Sequence, residues 1–372
     1  MKAKVKKQVS NKSLIAKSII VGCVLAVLFA LIAVTKSQYA SEFVAKYWSE
    51  NFARAGQVLF GWLPFSVFEW GAFFLALYLV FVVVAGIVFL CKKQGKRALS
   101  LSLNLVLIVM SVATIYYSTA GVAYYRKPYA FDLAENKVMT KESVLAVGKE
   151  YYKQFEEVAN RLAIDENGNS ICPYTFDELA AKISPDSSRI KKVSFSWLMS
   201  QFNVMGITFV PTGEANINKN MPSTCLAQTM AHELAHTNCI MDESQANNFA
   251  YQTLLASDDD YIRYCGFLAT NRYMREMLIL SGNKEFQKTI KLPFVVTKDV
   301  SREYYFWEEN QAFAPIGEFF NNMYLKLSGQ GGTNSYYDPN QGEQNGKDEN
   351  GDIIYVNVIY STHNRLLFKM FA

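Results

Sequence analysis

Residues 231–247 read AHELAHTNCIMDESQAN and hold two of the three histidines in a chain of 372 residues, His232 and His236, with Glu233 between them in the spacing H-E-x-x-H. On a helix, positions four apart share one face about a turn apart, so both imidazoles reach a single metal ion. Glu233 is then placed to act on a water at that ion. The bland alternative is a helix that carries this spacing by chance, but histidine is otherwise almost absent from the chain. A catalytic zinc ion takes three protein ligands and leaves one position open, so a third ligand is needed.

Two residues downstream compete for that role, Asp242 and Glu243. Were the helix to continue, residue 243 would lie about 10 Å beyond His236, too far for ligation, so the chain must turn back between residues 237 and 241. Asn238 and Cys239 fall in that turn. In the metzincin register, H-E-x-x-H-x-x-G-x-x-[HD], the third ligand would be Asp242, but Cys239 stands where the turn glycine belongs. In the other register Glu243 opens E-S-Q-A-N, and Asn247 follows one turn later on the same face, where it can hydrogen-bond a ligand from behind. The second register is favoured, with Glu243 as ligand.

The rest of the composition places this chemistry. Hydrophobic residues make up 51% and charged residues 19% of the chain, apolar for a soluble protein. The excess lies before residue 121, in runs at about 13–35, 67–90 and 98–119, each near the roughly 20 residues that cross a bilayer as a helix. A cleaved signal peptide is the competing reading of the first run, but its apolar core is long and two more candidate spans follow. Lys2, Lys4, Lys6, Lys7 and Lys12 precede the first run, and Lys92, Lys93, Lys96 and Arg97 lie between the second and third. The positive-inside rule puts both segments in the cytoplasm and residues 121–372 outside it. With those nine basic residues set apart from the overall +4, the remainder is net acidic, which argues against nucleic acid as a partner. Trp62, Phe65, Phe68 and Trp70 suit the outer interface of the second span. Glu69 among them reads as a carboxylate at headgroup level. Cys172, Cys225, Cys239 and Cys265 fall in the external part, where two disulfides or free thiols are both open.

Apolar residues recurring from Val144 to Leu162 predict an amphipathic helix over 141–162. Residues 165–170 form a turn cluster without EF-hand spacing. Thr175 and Glu178 suit a capping box, and residues 193–202 a short helix. Gly206, Ile207, Thr208 and Phe209 read as a strand just before the metal helix, fit either for a structural hairpin or for holding a substrate backbone by strand addition. The metal helix is expected over 223–236, and another over about 261–280 behind an acidic run. A helical stretch over 304–327 should be kinked or divided by Pro315. Residues 328–352, rich in Gly, Asn, Gln and Asp, with Tyr336 and Tyr337 as their only bulk, read as a mobile loop. Residues 353–360 read as a strand, and the end of the chain is compatible with helix. An oxyanion donor must come from outside the motif; His363, Tyr355, Tyr360 and Arg272 are the candidates.

Two resemblances follow from these residues. Glu243-Ser-Gln-Ala-Asn247 resembles the E-x-x-A-[DN] segment of membrane gluzincins of the CAAX-prenyl-protease type, whose glutamate binds zinc. Their gap between H-E-x-x-H and that glutamate is much longer. More of the chain resembles an uncharacterised family of bacterial membrane proteins with three N-terminal spans, held to be zinc peptidases: LPFSVFE (63–69), GITFVPTGEAN (206–216), HELAH with ESQAN, and YLKLSGQ (324–330). Such relatives often carry glycine after the second histidine where this chain has Cys239. The resemblance implies a metallopeptidase fold and offers little about substrate.

The expectation is therefore an α-helical membrane anchor of three spans over residues 1–120, followed over 121–372 by a mainly α, zincin-like α+β metallopeptidase domain. It would bind one Zn2+ through His232, His236 and Glu243 and hydrolyse peptide or protein substrates with Glu233 as general base. A non-catalytic zinc-binding sensor or scaffold is the rival reading. The bilayer is an expected partner and nucleic acid is not.

Overall fold

The computed structural model describes residues 9–336, 338–347, 351 and 353–372. Lys2, Lys4, Lys6 and Lys7 of the basic arm, Tyr337 and Asp352 lie outside the described residues. The chain divides into two compact units, Met1–Lys127 with Phe209–Glu214, and Pro128–Thr208 with Ala215–Ala372.

In the first unit α1 (Asn11–Val34), α4 (Val67–Cys91) and α5 (Gly95–Tyr116, continued by a π-helical turn to Gly121) are long and apolar enough to cross a membrane. Between α1 and α4 run α2 (Gln38–Val44), a π-helical turn and α3 (Glu50–Phe60). Lys17, inside α1, donates to Ser100 Oγ on α5 at 2.7 Å, so its ammonium is hydrogen-bonded within the unit. Residues 209–214 pack on α3 through two close backbone approaches. A Cβ on Gly56 would stand 2.5 Å from the Pro211 carbonyl oxygen, and Gly213 adopts a left-handed φ of +67° against the Ala53 carbonyl. The buried Glu214 carboxylate then accepts from the backbone N–H of Val67 (2.8 Å) and Phe68 (3.0 Å), and from Thr212 Oγ1 (2.8 Å). Helix N-termini leave such N–H groups without intrahelical partners, so Glu214 closes the start of α4. The Phe68 and Phe209 rings meet at 4.9 Å beside it. Glu69 is buried in the first turn of α4 rather than displayed at a surface.

The second unit is mostly helical: α6 (Lys141–Arg161), α7 (Phe176–Ile183), α8 (Ser196–Gln201), α9 (Ser223–Thr237), α10 (Glu243–Leu255), α11 (Asp260–Leu280), α12 (Lys284–Thr289), α13 (Phe294–Glu309), α14 (Ala314–Leu327) and α15 (Thr362–Phe371). The strands are β1 (Ile190–Lys192), β2 (Gly206–Phe209), β3 (Glu214–Ile217), β4 (Gln341–Lys347) and β5 (Ile353–Ile359), of which Phe209 and Glu214 belong to the first unit. One core joins α6, α11 and α15 through Tyr151, Phe155, Phe267, Met274 and Phe371. A second packs α7, α9, α10 and the start of α11 through Leu179, Ala227, Met230, Leu254 and Ile262. The small sheet has the order β1-β3-β2, with β1 and β3 parallel and Ile190 opposite Ala215. All four residues of β3 are buried at its centre, and β2 forms an edge.

The expected helix at 141–162, the capping box of Thr175 with Glu178 and the helix at about 261–280 are all present. The stretch 304–327 is divided between α13 and α14, with Pro315 in the first turn of α14, where its missing N–H costs no bond. The described residues of 328–352, which leave out 337, 348–350 and 352, depart from the loop reading. They include a 3-10 segment, Gly332–Tyr336, and β4, which pairs antiparallel with β5. All of β4 is exposed, so backbone pairing rather than apolar alternation makes it a strand, and composition gave no sign of it. Among the described residues no disulfide joins the cysteines.

Candidate metal centre

Pro222 precedes α9, and the helix buries Leu226, Ala227, Met230, Ala231, Leu234 and Ala235. The packed apolar face fixes the opposite placement of His232 and His236. Their rings stand perpendicular with Nε2 atoms 3.1 Å apart.

The end of α9 supplies the turn that sequence spacing requires. Cys239 N donates to the His236 carbonyl (2.9 Å) and Ile240 N to the Ala235 carbonyl (3.1 Å). This is a Schellman pair, and it needs a left-handed residue between helix and exit. Cys239 takes that place at φ +58°, the position usually given to glycine. The turn also returns the Ile240 carbonyl to His236 Nδ1 at 2.8 Å. Arg189, a buried cation, reaches Thr237 Oγ1 and Asn238 Oδ1, both at 3.2 Å, and pairs with Asp186 at 2.8 Å. A positive charge at a helix C-terminus complements the partial negative charge of the carbonyls there.

Beyond the turn, Asp242 and Glu243 part in role. Asp242 caps α10 by accepting from Gln245 N at 2.9 Å. Glu243 Oε2 lies 3.2 Å from His232 Nε2 and 3.5 Å from His236 Nε2. His232, His236 and Glu243 form the one group of potential metal ligands among the described residues. Asn247 sits one turn further on, with Oδ1 3.0 Å from His232 Nδ1 and Nδ2 donating to the Tyr336 carbonyl at 3.2 Å.

These contacts fix which nitrogen of each ring carries a hydrogen on the side away from Glu243. A carbonyl oxygen only accepts, so His236 Nδ1 carries a hydrogen. The Tyr336 carbonyl likewise demands the amide NH2 of Asn247, which turns Asn247 Oδ1 toward His232 and puts a hydrogen on its Nδ1. In the neutral rings both Nε2 lone pairs then converge with Glu243 Oε2, a buried atom that accepts no hydrogen bond among the described residues. Tetrahedral zinc with ligands about 2.1 Å away sets neighbouring donors about 3.4 Å apart. The observed spacings of 3.1, 3.2 and 3.5 Å fit that ion. Without a cation the same crowding must be met by a proton. Burial opposes a charge on His236, but Glu243 outweighs it and lifts the pKa; burial pushes Glu243 up, and the two histidines pull it lower still.

Glu233 faces the edge strand. Its Oε2 receives Thr208 Oγ1 at 2.7 Å, and the same hydroxyl lies 2.8 Å from the Glu233 carbonyl. Gly206 permits this approach, since a Cβ there would stand 2.7 Å from Glu233 Oε1. Of the strand residues singled out, Gly206 and Thr208 thus meet Glu233, Ile207 is exposed, and Phe209, which belongs to the first unit, packs on Phe68 within that unit.

None of the contacts described for the four oxyanion candidates is with His232, Glu233, His236 or Glu243. His363 is fully buried, bonds Asn248 Oδ1 at 2.7 Å and packs on the Tyr251 and Tyr273 rings; burial lowers its pKa to about 4. Arg272 donates to the Tyr273 hydroxyl, Tyr360 N bonds Asn136, and Tyr355 lies on β5 opposite Gln344. The aromatic residue at the centre is instead Tyr336, whose ring stacks on His232 at 6.5 Å and 27°. Its hydroxyl accepts from Asn321 Nδ2 at 3.4 Å. Thr208, Arg189 and Tyr336 carry no local sequence signal for these contacts.

Residues 45–338 match the family described as "Protein of unknown function (DUF3810)". The chain belongs to that family. The matched span includes every residue of the centre, from Thr208 to Tyr336. Neither a curated protein nor a solved structure matches the chain. The DUF3810 description assigns no activity, so the chemistry rests on the geometry above.

Proposed function

We propose that the protein is a membrane-anchored, zinc-dependent endopeptidase with a zincin-like, gluzincin-type centre. The reading rests chiefly on three lone pairs, two of them fixed by hydrogen bonds on the far side of each ring, that converge at the spacing of a tetrahedral ion. His232, His236 and Glu243 would hold zinc, and Asn247 would orient His232 from behind. Bound zinc would supply Lewis acidity toward a peptide carbonyl and acidify water. Glu233, held by Thr208, takes a proton from the attacking water and delivers it to the leaving amine. The edge position of β2 suits it to receive an extended substrate backbone. The basic segments around Lys12 and at residues 92–97 orient the anchor with its N-terminus in the cytoplasm and the zinc site outside, so the substrates are membrane-proximal or exported proteins.

Glu233→Gln tests this directly. The purified variant should keep the wild-type zinc content by atomic absorption and lose at least about 100-fold in hydrolysis of a peptide library, the scale of a general acid–base group. Cleavage at the wild-type rate would sink the assigned role. One observation favours a non-catalytic zinc sensor or scaffold instead, the burial of the centre beneath Tyr336. On that reading the wild-type protein carries zinc and cleaves nothing.

A further inference from the structure

Helix α14 is amphipathic in the inverted sense. Its inward side is small or polar apart from Leu325, which is fully buried. Gly317 presses on the Phe202 carbonyl, where a Cβ would come within 2.2 Å. Asn322 Oδ1 accepts from Thr333 N at 3.2 Å, and Asn321 donates to Tyr336. The outward side carries Ile316, Phe319, Phe320, Met323, Tyr324 and Leu327, all exposed, with Phe319 at 63% and Leu327 at 65%. At 100° per residue these six fall in one arc of about 140° that contains no charge. Glu318 lies outside the arc, and the exposed Lys326 sits at its rim, seven residues from Phe319. The N-terminal end of the helix meets α8, where Phe313 N bonds the Gln201 carbonyl at 2.8 Å and Trp197 is 64% exposed.

We propose that α14 is an interfacial helix whose outward face lies in the lipid headgroup and upper acyl region of the bilayer that the three apolar helices cross. A helix that turns polar groups inward and six large apolar side chains outward is suited to an apolar medium. The chain carries three helices long and apolar enough to cross a membrane, so a bilayer is the apolar medium to which this helix is tethered. The face is a continuous stripe of exposed aromatic and aliphatic groups along one helix, the pattern that enters an interface. Tyr324 and Trp197 suit the headgroup level, and Lys326 at the rim can reach anionic phosphates. The inference requires neither zinc nor catalysis.

The test uses the full chain reconstituted in vesicles of phosphatidylethanolamine and phosphatidylglycerol. The photoreactive residue p-benzoylphenylalanine replaces Ile316, Phe320, Glu318 or Glu157 in turn, all exposed positions that leave the packed side of each helix intact. After irradiation, mass spectrometry should find lipid adducts on the Ile316 and Phe320 variants at least about tenfold above those on Glu318 and Glu157. Equal yields at all four positions, or adducts at 316 and 320 with a second copy of the chain in place of lipid, would overturn the proposal.

Discussion

Two buried glutamates of this protein, Glu214 and Glu243, have opposite surroundings. Glu214 meets three donors, two backbone N–H groups at the start of α4 and the Thr212 hydroxyl. Glu243 meets two imidazole nitrogens whose hydrogens are committed to the far side of each ring. A buried carboxylate costs several kcal/mol unless its charge is answered. The first is answered by hydrogen bonds and belongs to the architecture. The second is left facing lone pairs, and only a cation or a proton answers it. The count of available donors, more than burial or residue type, separates a structural acid from a candidate ligand.

Substitutions at the two sites should show the difference. Glu243→Ala is expected to abolish stoichiometric zinc binding, while Asp242→Ala keeps zinc and loses only a helix cap, roughly 1 kcal/mol of stability. Metal analysis of the two purified variants decides it, and the reverse result would restore the Asp242 register. Glu214→Gln should retain zinc yet cost roughly 1–3 kcal/mol in denaturant unfolding, because an amide leaves α4 donors less well satisfied. Loss of zinc in that variant would erase the contrast. Asn247→Ala removes the acceptor behind His232 and should weaken zinc binding by roughly 10- to 100-fold in chelator competition; unchanged affinity would mean that His232 needs no support.

The smallest effect belongs to a third acidic group. Arg126 pairs with Glu42 at 3.0 Å and Glu50 at 2.9 Å, all partly exposed. The hydrogen bond from Arg126 holds the Glu42 pKa below its ordinary 4.5. A depressed carboxylate pKa contributes stability that is full above 4.5 and fades as pH falls through the lowered value. Solvent screening limits the contribution to under about 1 kcal/mol. Arg126→Ala should therefore lower the melting temperature slightly at pH 7, with the gap from wild type closing in acid. A gap independent of pH would place the stabilisation in packing.

The sequence made the local half of this centre legible. The H-E-x-x-H spacing pointed to α9, the ligand distance forced a turn after His236, and the spacing of Asn247 from Glu243 placed it behind the site. The spans were readable from apolar length alone. Contacts between distant parts of the chain were not, because no pattern near Thr208 announces Glu233 and none near Arg189 announces the end of α9. Tyr336 carries no such signal because it lies in a stretch of loop-like composition. The oxyanion candidates share only residue type, which says little about position: His363 is a packed core histidine bonded to Asn248.

The Schellman turn has one more consequence. Cys239 is fully buried at the hinge between the two ligand helices, and its left-handed backbone is part of what brings the Ile240 carbonyl to His236. An alkylating reagent can reach that sulfur only when the turn opens, and opening it also releases the His236 ring. The labelling rate of this thiol is thus a clock on local opening of the centre, readable without substrate or activity.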